Sequence, residues 1–236
     1  MIASYLHNFI FIKTRKTAGT AAEIALSEVC GPNDIVTPLG PVDELSRGKG
    51  KALCRNFTSN PAIENALIRA LVSGNQSEFL KARRKCEREF YAHMPASEIK
   101  ERLPAAFWDR ACKITAERHP YEKAVSRAYN YYRAHKHPPF PQYFEEFIRG
   151  GTYATYPLYT IDGVPVVDEF LRQETLYEDL RRVGAKLGFE VPKELARPKT
   201  DVRKDKRPAR EILSDEQKGI VYEFCRPEFE LLGYER

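Results

Sequence analysis

Residues 9–26 constrain this chain more than any other stretch. Phe9-Ile10-Phe11-Ile12 is a short apolar run of β-formers, which predicts a buried strand. The chemistry then changes abruptly. Lys13, Arg15 and Lys16 bring three positive charges, and Thr17, Gly19 and Thr20 bring small polar side chains and a flexible backbone. From Thr20 onward, Ala21, Ala22, Ile24, Ala25 and Leu26 suit a helix, with Glu23 near its first turn, where the helix dipole favours an anion. Strand, tight basic turn and helix bring unpaired helix N–H groups, a glycine and a lysine to one point. That is an anion site, most often for phosphate. It is not the ATP/GTP loop G-x-x-x-x-G-K-[ST], in which lysine ends the loop. Here Lys16 precedes the turn and Gly19 is its only glycine. The plainer alternative is a strand–helix turn with solvated lysines.

A chain of 236 residues can bury a core as one domain spanning residues 1–236. Its 42% apolar content, with 13 Phe and 13 Tyr, argues for a folded globule and against a disordered chain. The net charge of +5 suits anionic ligands but is too small to indicate nucleic acid, and none is expected as a partner. The cysteines, Cys30, Cys54, Cys86, Cys112 and Cys225, are scattered, odd in number and form no C-x-x-C. Neither a zinc site nor a disulfide framework is indicated, and a reducing compartment is the simplest context. No signal peptide or membrane span is read, so the expected location is cytoplasmic.

Along the chain, Gly31-Pro32-Asn33-Asp34 stops the first helix, and residues 32–58 read as a long loop rich in Pro and Gly. Pro61 opens a helix with Ile63, Ala66, Leu67, Ala70 and Leu71 on one face; Ser77 is read as the cap of the next, which carries Phe79, Arg83, Cys86 and Phe90. Phe90 to Pro95 is read as a short strand, Ser97 as the start of a short helix before Pro104, and Ala111 to Ala116 as a strand. A helix follows from Pro120 and another from Pro141 to Arg149; Val164 to Phe170 reads as a strand. Leu176, Leu180, Val183 and Leu187 form a helical stripe ended by Gly188. Ser214-Asp215-Glu216-Gln217 is a capping box for the last helix.

A second basic motif, Arg118-His119-Pro120 followed by Ser126 and Tyr129, again sits between strand and helix. Arg118 can fork onto a phosphate, with the Ser126 hydroxyl as a further donor. The plain alternatives are an Arg118 ion pair with Glu117 or Glu122 and an ordinary helix-surface serine. Lys16-Thr17-Ala18-Gly19-Thr20 resembles the 5′-phosphosulfate loop P-K-T-G-G-T-S of carbohydrate-type sulfotransferases, with Arg15 replacing the proline and Ala18 the first glycine. The Arg118–Ser126 motif resembles the same family's 3′-phosphate motif, with His119 in place of the usual Asp or Asn, a change expected to weaken the helix cap. Tyr91 to Pro95 is similar to the family's G-H-x-P segment, Val167 to Leu176 to its D-F-x-x-R-x-E-x-L segment, and Phe229 to Tyr234 to its D-x-x-x-F-G-Y ending.

The resemblance implies a three-layer, P-loop-like α/β fold with a central parallel sheet flanked by helices. It implies a donor, 3′-phosphoadenosine 5′-phosphosulfate (PAPS), which leaves as the bisphosphate PAP, and an acceptor hydroxyl on a carbohydrate or glycolipid. Animal members of this branch carry an N-terminal membrane anchor, so a bacterial relative is expected. Residues Arg15, Lys16, Thr17, Ala18, Gly19, Thr20 and Ala21 would hold the phosphosulfate, and Arg118 and Ser126 the 3′-phosphate. Arg203 and Lys206 come from the basic 197–210 segment, which resembles the family loop closing over the nucleotide and otherwise reads as a solvated linker. Lys16 would neutralise the leaving oxygen and His93 would be the base, against the plain reading of a structural histidine. Glu174 and Tyr129 are expected near the acceptor, Glu174 as the reserve base or else structural or orienting His93 or the acceptor, and Tyr129 otherwise packing the core. A sulfuryl group carries less charge than a phosphoryl group, so no metal is required. His135-x-His137 beside two prolines reads as a solvated loop rather than a metal site. Three rival functions remain: an ATP-dependent P-loop kinase, a non-catalytic RNA- or polyanion-binding protein, and, given the departures at Arg15 and Ala18, a degenerate sulfotransferase fold that binds nucleotide without catalysis.

Overall fold

The computed structural model describes residues 1–48, 52–85, 89–135, 138–196, 203 and 205–236. Its first strands are β1 (Ile2–Ser4) and β2 (Phe9–Ile12), followed by α1 (Gly19–Glu28), β3 (Ile35–Val36) and α2 (Pro41–Gly48). Helices α3 (Pro61–Val72), α4 (Gln76–Lys85), α5 (Ala96–Arg102) and α6 (Ala105–Arg110) precede β4 (Cys112–Glu117). Then come α7 (Pro120–Ala134), α8 (Phe140–Arg149), β5 (Thr160–Ile161), β6 (Val164–Pro165) and β7 (Glu169–Arg172). The chain closes with α9 (Leu176–Leu187), α10 (Ala209–Ile212) and α11 (Asp215–Leu232).

Five strands form one sheet in the order β3-β1-β2-β4-β7. The expected parallel sheet holds only for β2, β4 and β7. The sheet is mixed, because β1 runs antiparallel to both of its neighbours. The cause is the link: only residues 5–8 join β1 to β2, and a connection that short makes a hairpin, not a crossover. The Asp34 carboxylate holds that turn by accepting from the N–H groups of Tyr5 and Leu6 and from the Ser4 hydroxyl.

The unbroken apolar run of β2 follows from burial on both faces. Ile10 and Ile12, with Ala3, pack against Leu67, Phe79, Ile99 and Phe107 of α3 to α6. Phe9 and Phe11, with Ile114 and Ala116, pack against Ala22 and Leu26 of α1 and Leu180 and Val183 of α9. Helices therefore flank the sheet on both faces. A third cluster joins α7, α8, α10 and α11 through Ala124, Tyr143, Phe144, Val221 and Phe229.

Several local expectations need correction. Residues 32–58 are not all loop: they hold β3 and α2. What organises them is polar, and apolar periodicity does not reveal it. Buried Arg47 donates to Glu44 and to the Thr37 carbonyl, and Glu44 accepts from the N–H groups of Leu39 and Cys54. Phe90 to Pro95 is a turn rather than a strand, with Phe90 N–H on the Phe57 carbonyl. Val164 to Phe170 is divided between β6 and β7, since β6 folds back on β5 through Asp162 and Gly163, both at positive φ. Helix α4 starts before Ser77; Asn75 Oδ1, not Ser77, accepts from the first turn. Glu23 lies beyond the first turn of α1 and is fully buried. Cys86, His137 and residues 197–202 and 204 lie outside the described residues.

Candidate active site

Strands β2 and β4 are parallel neighbours, with Ile12 opposite Thr115, so the turns leaving their C-terminal ends lie side by side. Open α/β sheets bind ligands at such ends. The first turn is stitched to the second strand: Thr14 donates its hydroxyl to the Ala116 carbonyl and lies 2.8 Å from the Thr17 hydroxyl. Lys13 turns into the core, where its Nζ is 2.6 Å from Glu23 Oε2. Glu23 also accepts from the Met1 ammonium at 2.9 Å. Burial pushes the Glu23 carboxyl up, but Lys13, that ammonium and Arg47 together outweigh it and hold the group well below the usual range.

Above this anchor the loop is strained. Lys16 and Ala18 sit at φ 65° and 61°, a region that costs a non-glycine residue roughly 1–2 kcal/mol. At Gly19 a Cβ would lie 3.2 Å from Lys13 Cγ and 3.3 Å from the Thr14 carbonyl oxygen, so the turn is too tight for a side chain. No side chain caps α1; the Ala21 N–H turns back to the Ala18 carbonyl at 2.9 Å, which leaves the Gly19 and Thr20 N–H groups at the helix start for a ligand. Arg15, Lys16, Ala18 and Thr20 are half-buried, while Thr17, Gly19 and Ala21 are buried.

His93 comes to this loop from the turn before α5, itself at φ 62°. Its Nδ1 lies 3.1 Å from the Lys13 carbonyl. A carbonyl only accepts, so Nδ1 carries the proton and Nε2 keeps the lone pair. Burial first, then the charges of Lys13, the Met1 ammonium and Arg15, lower the imidazole pKa to about 3. The ring is neutral near neutral pH.

The second turn holds Arg118. Its Nη2 is 3.1 Å from Glu122 Oε2, and its buried Nε has no hydrogen-bond partner. The ion pair anticipated as the plain reading therefore exists, but it is half-buried rather than superficial. Arg203 reaches the same Glu122 oxygen at 2.7 Å, so the two predicted arginines converge on one carboxylate. The other Glu122 oxygen accepts from Ala209 N–H at the start of α10. Lys206 is exposed on the same segment, and Ser126 lies half-buried two turns into α7. His119 does cap α7, against the expectation of weak capping: its Nδ1 accepts from Tyr121 N–H at 3.3 Å. The other ring nitrogen then donates to the Glu235 carbonyl at 3.0 Å.

Glu174 is placed against this second turn, not against His93. It accepts from His119 N–H at 2.9 Å and from the Tyr234 hydroxyl at 3.3 Å. Arg172 donates to the Leu232 carbonyl and stacks on Tyr234. Three separate sequence segments thus meet around Arg118. Tyr129 packs its ring on Phe140 with centroids 4.5 Å apart, and the charges of Asp205 and Arg203 reach its hydroxyl. It belongs to the Arg203 side of the site. His135 stacks on Tyr131. Sequence reasoning missed Thr14 and Glu122 as parts of this site. Glu122 was legible only as a partner of Arg118, and nothing in the sequence shows that Arg203 and the Ala209 N–H also reach it.

No family model, no curated protein and no solved structure matches this chain.

Proposed function

We propose that the chain is a sulfotransferase that moves the sulfuryl group of PAPS to an acceptor hydroxyl on a carbohydrate or glycolipid. One juxtaposition carries this reading. Two basic strand–turn–helix loops lie at the C-terminal ends of neighbouring parallel strands, and a neutral histidine is hydrogen-bonded to the first. In a P-loop-like site of this kind the Arg15–Ala21 loop takes the phosphosulfate and Arg118, Ser126, Arg203 and Lys206 take the 3′-phosphate. The acceptor oxygen forms its bond to sulfur as the bond from sulfur to the phosphate oxygen breaks. Lys16 and the first N–H groups of α1 offset the charge that grows on that leaving oxygen. His93 Nε2 takes the acceptor proton. Burial, then the charges of Lys13 and Arg15, hold His93 too acidic for this work, and the correction comes from the substrate: a bound anion offsets the two cations and raises the imidazole pKa. Glu174 positions the His119 turn and has no part in proton transfer.

Incubation with PAPS and a panel of neutral and acidic sugars, followed by chromatography for PAP, tests the reaction. Wild type should release PAP only with an acceptor. Lys16→Ala should lose about 100-fold in rate or more while still binding PAP. PAP release unchanged in Lys16→Ala would overturn the mechanism.

A further inference from the structure

Glu122 stands in the first turn of α7, where the helix dipole favours a negative charge. Both of its oxygens are engaged. Oε2 takes Arg118 Nη2 at 3.1 Å and Arg203 Nη1 at 2.7 Å, and Oε1 accepts from Ala209 N–H at 2.6 Å. Arg203 also donates through Nε to the Asp205 carbonyl at 2.6 Å and through Nη2 to the Arg207 carbonyl. One carboxylate thus gathers the start of α10, the residues before it and the second basic turn. Without it, two guanidinium groups would face each other with nothing to offset their charge. A carboxylate between two arginines could instead be a stand-in that a bound phosphate displaces. The Ala209 bond argues against that. Ala209 is 1% exposed, and a Glu122 side chain that swung away would strand its buried N–H. Arg118, by contrast, has a buried Nε without a hydrogen-bond partner, so it keeps an unused donor while it holds Glu122 through Nη2.

We propose that Glu122 is a positioning residue: it fixes Arg203 against Arg118 before a ligand arrives, so that the two arginines act on the 3′-phosphate as a coupled pair. The tie stands on its own geometry; its service to the 3′-phosphate rests on the sulfotransferase reading. Arrangement in advance removes the cost of ordering two long side chains at the moment of binding.

Calorimetry with PAP and with adenosine 5′-phosphate, which differ only in the 3′-phosphate, tests this role. Glu122→Gln keeps the shape and can still accept from Ala209 N–H, but it has no charge to hold the arginines. It should bind PAP about tenfold more weakly and adenosine 5′-phosphate as wild type does. Glu122→Asp, which keeps the charge on a shorter arm, should bind PAP with an affinity between the two. Arg203→Gln should weaken PAP binding in wild type but by about twofold or less in Glu122→Gln, because the pair is already released. Unchanged or tighter PAP binding in Glu122→Gln overturns the proposal. So does an equal loss for both nucleotides, which a merely structural residue would give, or full additivity of the two substitutions. If wild type binds no PAP, the donor reading falls alone, and hydrogen exchange in residues 205–212 decides on the tie. Faster exchange in Glu122→Ala supports it, and equal exchange overturns it. Thermal unfolding of each variant checks that loss of binding is not loss of fold.

Discussion

A histidine that donates Nδ1–H to a main-chain carbonyl keeps one nitrogen for chemistry, and His93 is held in that tautomer by Lys13. Its cost is paid in acid. With its pKa near 3 when folded and about 6.5 when unfolded, the unfolded chain takes the proton first as pH falls, and stability drops. Above about pH 8 both states are neutral and the contribution is constant. Urea unfolding of wild type should therefore lose roughly 2 kcal/mol from this residue between about pH 7 and pH 5, and His93→Gln should flatten that limb. Parallel pH curves for the two proteins would contradict the burial argument. At this scale the sequence was partly legible. Charge and small size announced Lys16 and Gly19. Glu122 as a shared partner stayed hidden, because only the fold brings Arg118, Arg203 and the Ala209 N–H to one carboxylate.

The β2–α1 turn is an element that carries strain for the sake of its shape. Ala18 occupies a left-handed position where a glycine would sit unstrained. Ala18→Gly should stabilise the protein by about 1 kcal/mol, read as a rise in melting temperature. PAP affinity should not fall; a destabilised variant would mean that the turn is not held as described. Elements with a local chemical signature were read well: the helix after Pro120, the stripe ended by Gly188 at φ 77°, and the capping box at Ser214. Elements held by distant partners were not. Strand β1 owes its direction to the short link into β2 and to the distant Asp34, and α2 to the Glu44–Arg47 network. Neither leaves a periodic trace in its own residues.

Across the whole molecule, the third helical cluster is tied to the sheet by a buried charge cluster behind Arg118. Lys123 reaches Glu117 at the end of β4 at 3.0 Å and Glu228 of α11 at 3.3 Å, and donates to Thr155 at 2.6 Å. Burial lowers the Lys123 pKa, but the two carboxylates outweigh it and raise the group overall. Lys123→Met leaves two buried carboxylates unpaired and should cost about 3–5 kcal/mol in denaturant unfolding. Adding Glu117→Gln and Glu228→Gln should recover much of that loss; no recovery would show that the cluster holds the fold by something other than charge pairing. The same tie fixes the start of α7, and with it the second basic turn beside the first.

The central claim is that these two turns grip one ligand by both of its ends. Calorimetric titration with adenosine 3′,5′-bisphosphate, against ATP with magnesium, tests it most directly in wild type and Arg118→Ala. The account predicts metal-independent binding that prefers the 3′-phosphorylated nucleotide and weakens about tenfold or more in the variant. Binding that favours ATP with magnesium, or that is unchanged in Arg118→Ala, would contradict it.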